Sequence, residues 1–172
     1  MEQGQSWEAP GRRGRVDRRV WRVLLWAVSL VYLFVLFKLT VLKRPGTVLI
    51  LSGRVEPLLL AARIQFSNFI PFKTILQYLA GEPTPGVAVR NLVGNVVLFI
   101  PLGVLLPAVL PAFGRLRAVT AASFLLSLSI ELFQLVTGAG QFDVDDLLLN
   151  MGGAVAGWWG LRWFVRVFPV AR

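Results

Sequence analysis

The chain has 172 residues, of which 56% are apolar and only 16% charged. An average soluble domain has about 45–50% and about 25%, so a soluble domain and a disordered chain are both excluded. Cysteine and histidine are absent, which removes disulfides, thiolate and imidazole metal sites, cysteine nucleophiles and Ser-His triads. The formal net charge of +9 is concentrated where Arg12, Arg13, Arg15, Arg18, Arg19 and Arg22 crowd in front of the first apolar run. That is the pattern of a segment held at anionic headgroups; a nucleic-acid module spreads its basic residues over a folded face. The composition is that of a small, all-α integral membrane protein, with membrane lipids and no nucleic acid as its partners.

Residues 1–20 read as a basic cytoplasmic tail, disordered over the polar, Gly-containing 1–14, and residues 21–170 as one membrane domain. Four stretches hold the ~20 apolar residues that a bilayer crossing needs. They are about 23–42, broken only by Lys38; 91–113, without charge; 118–137, containing Glu131; and 147–168, with Arg162 and Arg166 in its last turns. The expected fold is therefore a four-helix membrane bundle. The first run ends in Leu42-Lys43-Arg44-Pro45 with no small-x-small cleavage site, and reads as an uncleaved anchor rather than a signal peptide.

With four spans, the N-terminal arginines, Arg115, Arg117, Arg162, Arg166 and Arg172 fall on one side, and Asp143, Asp145 and Asp146 on the other. The positive-inside rule then places both termini in the cytoplasm of a cell-membrane protein. The connection 43–90 runs against that rule, with Lys43, Arg44, Arg54, Arg63, Lys73 and Arg90 facing only Glu56 and Glu82. Within it, 47–51 and 58–66 are strongly apolar, but Gly53, Arg54, Glu56, Pro57 and Arg63 prevent a full crossing. Such short apolar runs suit an interfacial or re-entrant segment. Residues 72–79 read as a second short amphipathic turn, ended by Gly81-Glu82-Pro83-Thr84-Pro85-Gly86. No internal repeat is visible, so an inverted-repeat transporter has no support.

The polar residues inside these spans carry the functional reading. Asn91 and Asn95 lie four apart on one helical face, and each amide needs a partner from another helix or from water. Pro101, Gly103, Pro107 and Pro111 follow, and predict a kinked or broken helix, either for packing or to line a polar cavity. Glu131 and Gln134 share a face in the third span. A lone carboxylate there costs about 2.5–3.5 kcal/mol on insertion scales, so Glu131 must be protonated, paired or near water, with Arg90 as a candidate partner. Asp143 is a candidate N-cap for the last helix, and Asp146 and Asn150 lie four apart on its face. Three aspartates exceed what a cap requires, leaving open a hard cation or a polar headgroup as their partner. Gly153 and Gly157 form a small-xxx-small pair that permits close helix approach, within the bundle or between copies in a homo-oligomer. Trp158, Trp159 and Trp163 read as interfacial aromatics, with Arg162 and Arg166 reaching past them.

Four blocks recur here in a fixed order: Asn68-Phe69-Ile70-Pro71-Phe72; Asn91-Leu92-x-Gly94-Asn95-x-x-Leu98-Phe99-x-Pro101-Leu102-Gly103; Glu131-Leu132-x-Gln134; and Asp143-x-Asp145-Asp146-x-x-x-Asn150-x-x-Gly153. Over about residues 68–157 the chain resembles the VanZ-like family of small bacterial membrane proteins. The resemblance implies a polytopic envelope protein whose shared site is made of these polar residues. The family's founding member is associated with resistance to the lipoglycopeptide teicoplanin. In one respect the chain departs from the family: relatives place an arginine just before the acidic turn, where this chain has Gly138-Ala139-Gly140-Gln141. Either another cation, Arg90 or Lys73, takes its place, or the acidic cluster keeps its charge and takes a metal.

The leading expectation is a non-enzymatic protein that binds an amphiphile, a lipid headgroup or a lipophilic glycopeptide, near the outer leaflet and without a cofactor. Its pocket is expected to be lined by Asn91, Asn95, Glu131, Gln134, Asp146 and Asn150, closed by Asn68 and Pro71, with Arg90, Asp143 and Asp145 beside it. The alternatives are a Mg-dependent membrane enzyme acting on a lipid diphosphate, and a membrane scaffold or transport accessory docking through its glycine face.

Overall fold

The computed structural model describes residues 13–41 and 60–168, and the regular elements within them are helices. Helix α1 spans Arg13–Val41, α2 Leu60–Gln65, α3 Lys73–Leu79, α4 Pro85–Val109, α5 Leu116–Thr137 and α6 Val144–Val167. A 3-10 turn, Pro111–Gly114, joins α4 to α5. Helix α1 begins at Arg13, ahead of the apolar run, so part of the arginine cluster belongs to its first turns. The apolar stretch 47–51 and residues 1–12 lie outside the described residues.

Local chemistry sets the helix ends. Thr84 caps α4, its side chain accepting from the Val87 N–H at 3.4 Å, and Pro85 follows at the position where a missing N–H costs nothing. Helix α5 stops at Gly138, whose φ of 76° is left-handed, as helix C-termini commonly are. Asp143 caps α6, accepting from the Asp145 N–H at 2.9 Å. Helix α4 runs through Pro101 and Pro107 as one helix, so of the kink or break that the sequence predicted there is no break.

Side-chain contacts fix the helix directions. Helices α4 and α6 run parallel in close contact, because small residues let their backbones meet. A Cβ on Gly153 would stand 2.1 Å from the Val96 carbonyl oxygen, one on Gly157 2.1 Å from that of Ile100, and one on Gly103 1.9 Å from that of Ala154. The glycine face that invited docking is therefore occupied by α4 of the same chain. Helix α5 runs antiparallel to α6, with Asn150 Nδ2 donating to Ser127 Oγ at 2.8 Å. Helix α1 runs beside both α4 and α5: Tyr32 donates its hydroxyl to Leu98 O at 2.8 Å, and Gln134 Nε2 donates to Thr40 O at 2.9 Å. Leu36, Phe99, Leu102, Val119, Ile130 and Ala154 form the buried core between them.

These directions gather the N-terminus of α1, the α4–α5 turn and the C-terminus of α6 at one end. There Trp158 Nε1 donates to Gly114 O at 3.3 Å, and the Arg162 guanidinium lies 5.1 Å from the Trp158 ring. Among the described residues, three helical segments are long and apolar enough to cross a membrane: Arg19–Val41, Pro85–Val109 and Leu116–Thr137. Helix α6 has the length but not the same apolar content, since its glycines, tryptophans, Asn150 and Arg162 replace aliphatic residues.

Candidate functional site

At the end opposite Gly114, two segments far apart in sequence are zipped together. The Asn68 N–H donates to Phe142 O at 2.8 Å, and the Val144 N–H donates back to Asn68 O at 3.0 Å. The Phe142 N–H donates to Ser67 Oγ at 3.1 Å, and the Phe69 and Phe142 rings stack 5.2 Å apart. The entry to α3 is thereby held against the entry to α6.

The acidic turn then divides into separate roles. Asp145 is fully buried, and its carboxylate receives the N–H groups of Phe72, of Thr74 at 2.7 Å and of Ile75 at 3.1 Å. An aspartate in the first turn of α6 thus caps a different helix, α3, whose own preceding residue Phe72 makes no side-chain cap. Phe72 sits at φ 67°, a conformation unusual for a bulky residue, and in it the successive N–H groups form a concavity for an anion. Asp143 accepts from Asn68 Nδ2 at 2.9 Å and from Thr74 Oγ1 at 2.7 Å, and its N–H donates to Glu131 Oε2 at 2.9 Å. Asp146 faces elsewhere and accepts from Asn95 Nδ2. Among the described residues no three carboxylates converge as metal ligands would.

Beyond this clasp the helices enclose a polar cavity of about 120 Å³. Its walls are Asn91 and Asn95 of α4, Glu131 and Gln134 of α5, and Asp146 and Asn150 of α6, with Leu39, Thr40, Leu98, Ile130 and Ala139. All three pairs read from helical spacing meet in one space. A wider cleft of about 410 Å³ adjoins it, sharing Asn91, Gln134 and Asp146 and bounded by Asn68, Lys73, Thr74, Gln77, Tyr78 and Asp143.

Three of the expected site residues line neither space, the first being Asp145, which is spent on α3. Pro71 is exposed in the turn before α3 and lines neither space. Arg90 is exposed and lines neither, whereas Glu131, 2% exposed, faces the N-terminus of α6. A buried cation near the turn is Arg63, which the sequence placed among the basic residues of the 43–90 connection and among those that keep its apolar run from crossing. Its Nη1 donates to Leu135 O and Val136 O, both at 2.8 Å, and its guanidinium fills the space beside Gly138. Charged donors on the last carbonyls of a helix also complement its dipole. An arginine set in an apolar run was the available signal, because it must find acceptors if it is buried. Lys73 lines the wider cleft together with Asp143 and Asp146.

Fold and site together define a multi-pass helical membrane protein with a polar recess built from amide and carboxyl side chains at one end of its helices. Residues 29–165 match the VanZ/LLP1 family model, and the chain belongs to that family. It matches no curated protein and no solved structure.

Proposed function

We propose that this protein binds the polar headgroup of an amphiphile in the recess at the outer-leaflet end of its helices, without chemical turnover. In this reading α6 is the fourth span of a four-helix bundle. Close contact with α4 along its glycine face compensates for its lower apolar content. Both termini then lie in the cytoplasm with Arg115, Arg117, Arg162 and Arg166, and α2 and α3 form an interfacial or re-entrant segment over the recess.

The observation that carries this reading is the convergence of Asn91, Asn95, Glu131, Gln134, Asp146 and Asn150 on one cavity near the helix ends. Asn91 and Asn150 each lie six residues from the start of their helix, about 9 Å at 1.5 Å per residue, which is within reach of a headgroup. Polar side chains buried this far into a span are retained at a cost unless they meet a ligand, water or one another. The clasp leaves Asp143 and Asp145 engaged with backbone and side-chain donors, which suits a binding site better than a metal centre for diphosphate chemistry.

The test is susceptibility to teicoplanin and vancomycin in a host expressing the wild type or Asp146→Ala at matched membrane levels, with amphiphiles extracted from both purified proteins. Teicoplanin protection lost in the variant identifies the lipoglycopeptide as the amphiphile. Bound lipid without protection makes a native lipid the ligand. Absence of both protection and a bound amphiphile refutes the reading.

A further inference from the structure

The hydrogen bonds around the small cavity are lopsided. Asn91 Nδ2 donates to Tyr78 Oη at 2.7 Å, Asn95 Nδ2 to Asp146, Gln134 Nε2 to Thr40 O at 2.9 Å and Asn150 Nδ2 to Ser127 Oγ at 2.8 Å. Each amide spends one N–H on the protein, and only at Asn150 is the amide oxygen buried without a donor. The Asn150 side chain lies one turn deeper than Asp146 and is only 5% exposed, and its Oδ1 is buried with no hydrogen-bond partner. Native proteins seldom leave a buried acceptor without a donor, because its desolvation is then uncompensated. The Glu131 and Asp146 carboxyl groups, both hydrogen-bonded within the protein, stand in the same walls. Outside them, at the rim of the wider cleft, stands the exposed Lys73.

We propose that the cavity binds the primary ammonium group of an aminophospholipid headgroup, with Asn150 Oδ1 as its deepest acceptor and Lys73 facing the phosphate. The proposal rests on the amphiphile-binding reading and names the headgroup class. A primary ammonium brings three N–H donors and no acceptor, so it can meet Asn150 Oδ1 without setting acceptor against acceptor. A quaternary ammonium has no N–H to give, and a headgroup that presents only phosphate oxygens sets acceptor against acceptor at Asn150 Oδ1. By the measure of about 10–15 Å³ per water, a cavity of about 120 Å³ has room for an aminoethyl group.

The experiment uses the full chain in nanodiscs of equimolar phosphatidylethanolamine, phosphatidylcholine and phosphatidylglycerol, with retained lipids read by native mass spectrometry. Phosphatidylethanolamine is expected to be retained about tenfold over phosphatidylcholine, the factor one hydrogen bond to a charged group carries. Asn150→Leu is expected to abolish that preference. Because Asn150 also bonds Ser127, Asn91→Leu at the cavity mouth, which gives up the bond to Tyr78, is the second variant, expected to weaken the preference in a protein that still unfolds cooperatively. Lys73→Gln is expected to reduce retention of phosphatidylethanolamine while leaving its preference over phosphatidylcholine. Displacement of the lipid by millimolar free ethanolamine would overturn the assignment to a lipid. Equal retention of the three lipids would overturn ammonium recognition and leave amphiphile binding standing. Retention of no lipid at all would remove both.

Discussion

Replacing Asp145 tests whether the acidic turn is a structural clasp. Asp145→Ala strips the carboxylate from the N–H groups of Phe72, Thr74 and Ile75. Phe72 is exposed and Thr74 and Ile75 are half-buried, so water replaces part of each lost bond, and about 1 kcal/mol per donor is appropriate. The sum is about 3 kcal/mol, which raises local opening of the segment around α3 by roughly 150-fold. Asp145→Asn is the sharper variant. Its single oxygen faces either Phe72 or the Thr74–Ile75 pair, so the better orientation loses one N–H partner and costs about 1 kcal/mol. Amide hydrogen exchange of residues 72–76 in detergent-solubilised protein reads this directly. Expected rates rank alanine above asparagine above wild type. Unchanged protection in both variants would refute the idea that this carboxylate holds α3.

Three further predictions concern how the helices are joined. Gly153→Ala forces a Cβ toward the Val96 carbonyl and is expected to cost about 2–3 kcal/mol in thermal unfolding; Gly152→Ala meets nothing within 4 Å and is expected to be neutral or to stabilise by up to about 1 kcal/mol. Arg63→Leu leaves the Leu135 and Val136 carbonyls without their donor and is expected to cost about 2–3 kcal/mol, with Arg63→Lys recovering part; equal melting points for the leucine variant and the wild type would contradict this. Tyr32→Phe removes the bond to Leu98 O and is expected to cost about 1 kcal/mol, measured by the denaturant midpoint in mixed micelles.

What could be read from the chain alone followed helical periodicity. Residues three or four apart share a face, so Asn91 with Asn95, Glu131 with Gln134 and Asp146 with Asn150 were each expected to point one way, and all six line one cavity. The same rule accounts for Arg90, which is one residue from Asn91, about 100° around the helix, and turns outward. Roles created by distant partners left no local trace. Asp145 has the position of an ordinary first-turn acid, yet its N–H partners Phe72 and Thr74 lie 73 and 71 residues earlier. Arg63 interrupts an apolar stretch too short to cross a bilayer, and its acceptor Leu135 is 72 residues away. The α4–α6 contact falls between: the Gly153–Gly157 spacing announces a close approach without saying to which helix.

The clasp between residues 67–74 and 142–146 also orders assembly in time. A membrane chain is made from its N-terminus at about 5–20 residues per second, so α2 and α3 emerge well before the turn that holds them. Until Asp145 arrives, the Phe72, Thr74 and Ile75 N–H groups have only water or lipid to meet. Arrival of α6 therefore completes three things at once: the fold of the surface segment, the packing partner of α4, and the cavity wall that carries Asp146 and Asn150. Chains interrupted before residue 146 would hold the three most apolar helices yet lack the recess, which makes the recess a product of completed synthesis rather than of membrane insertion.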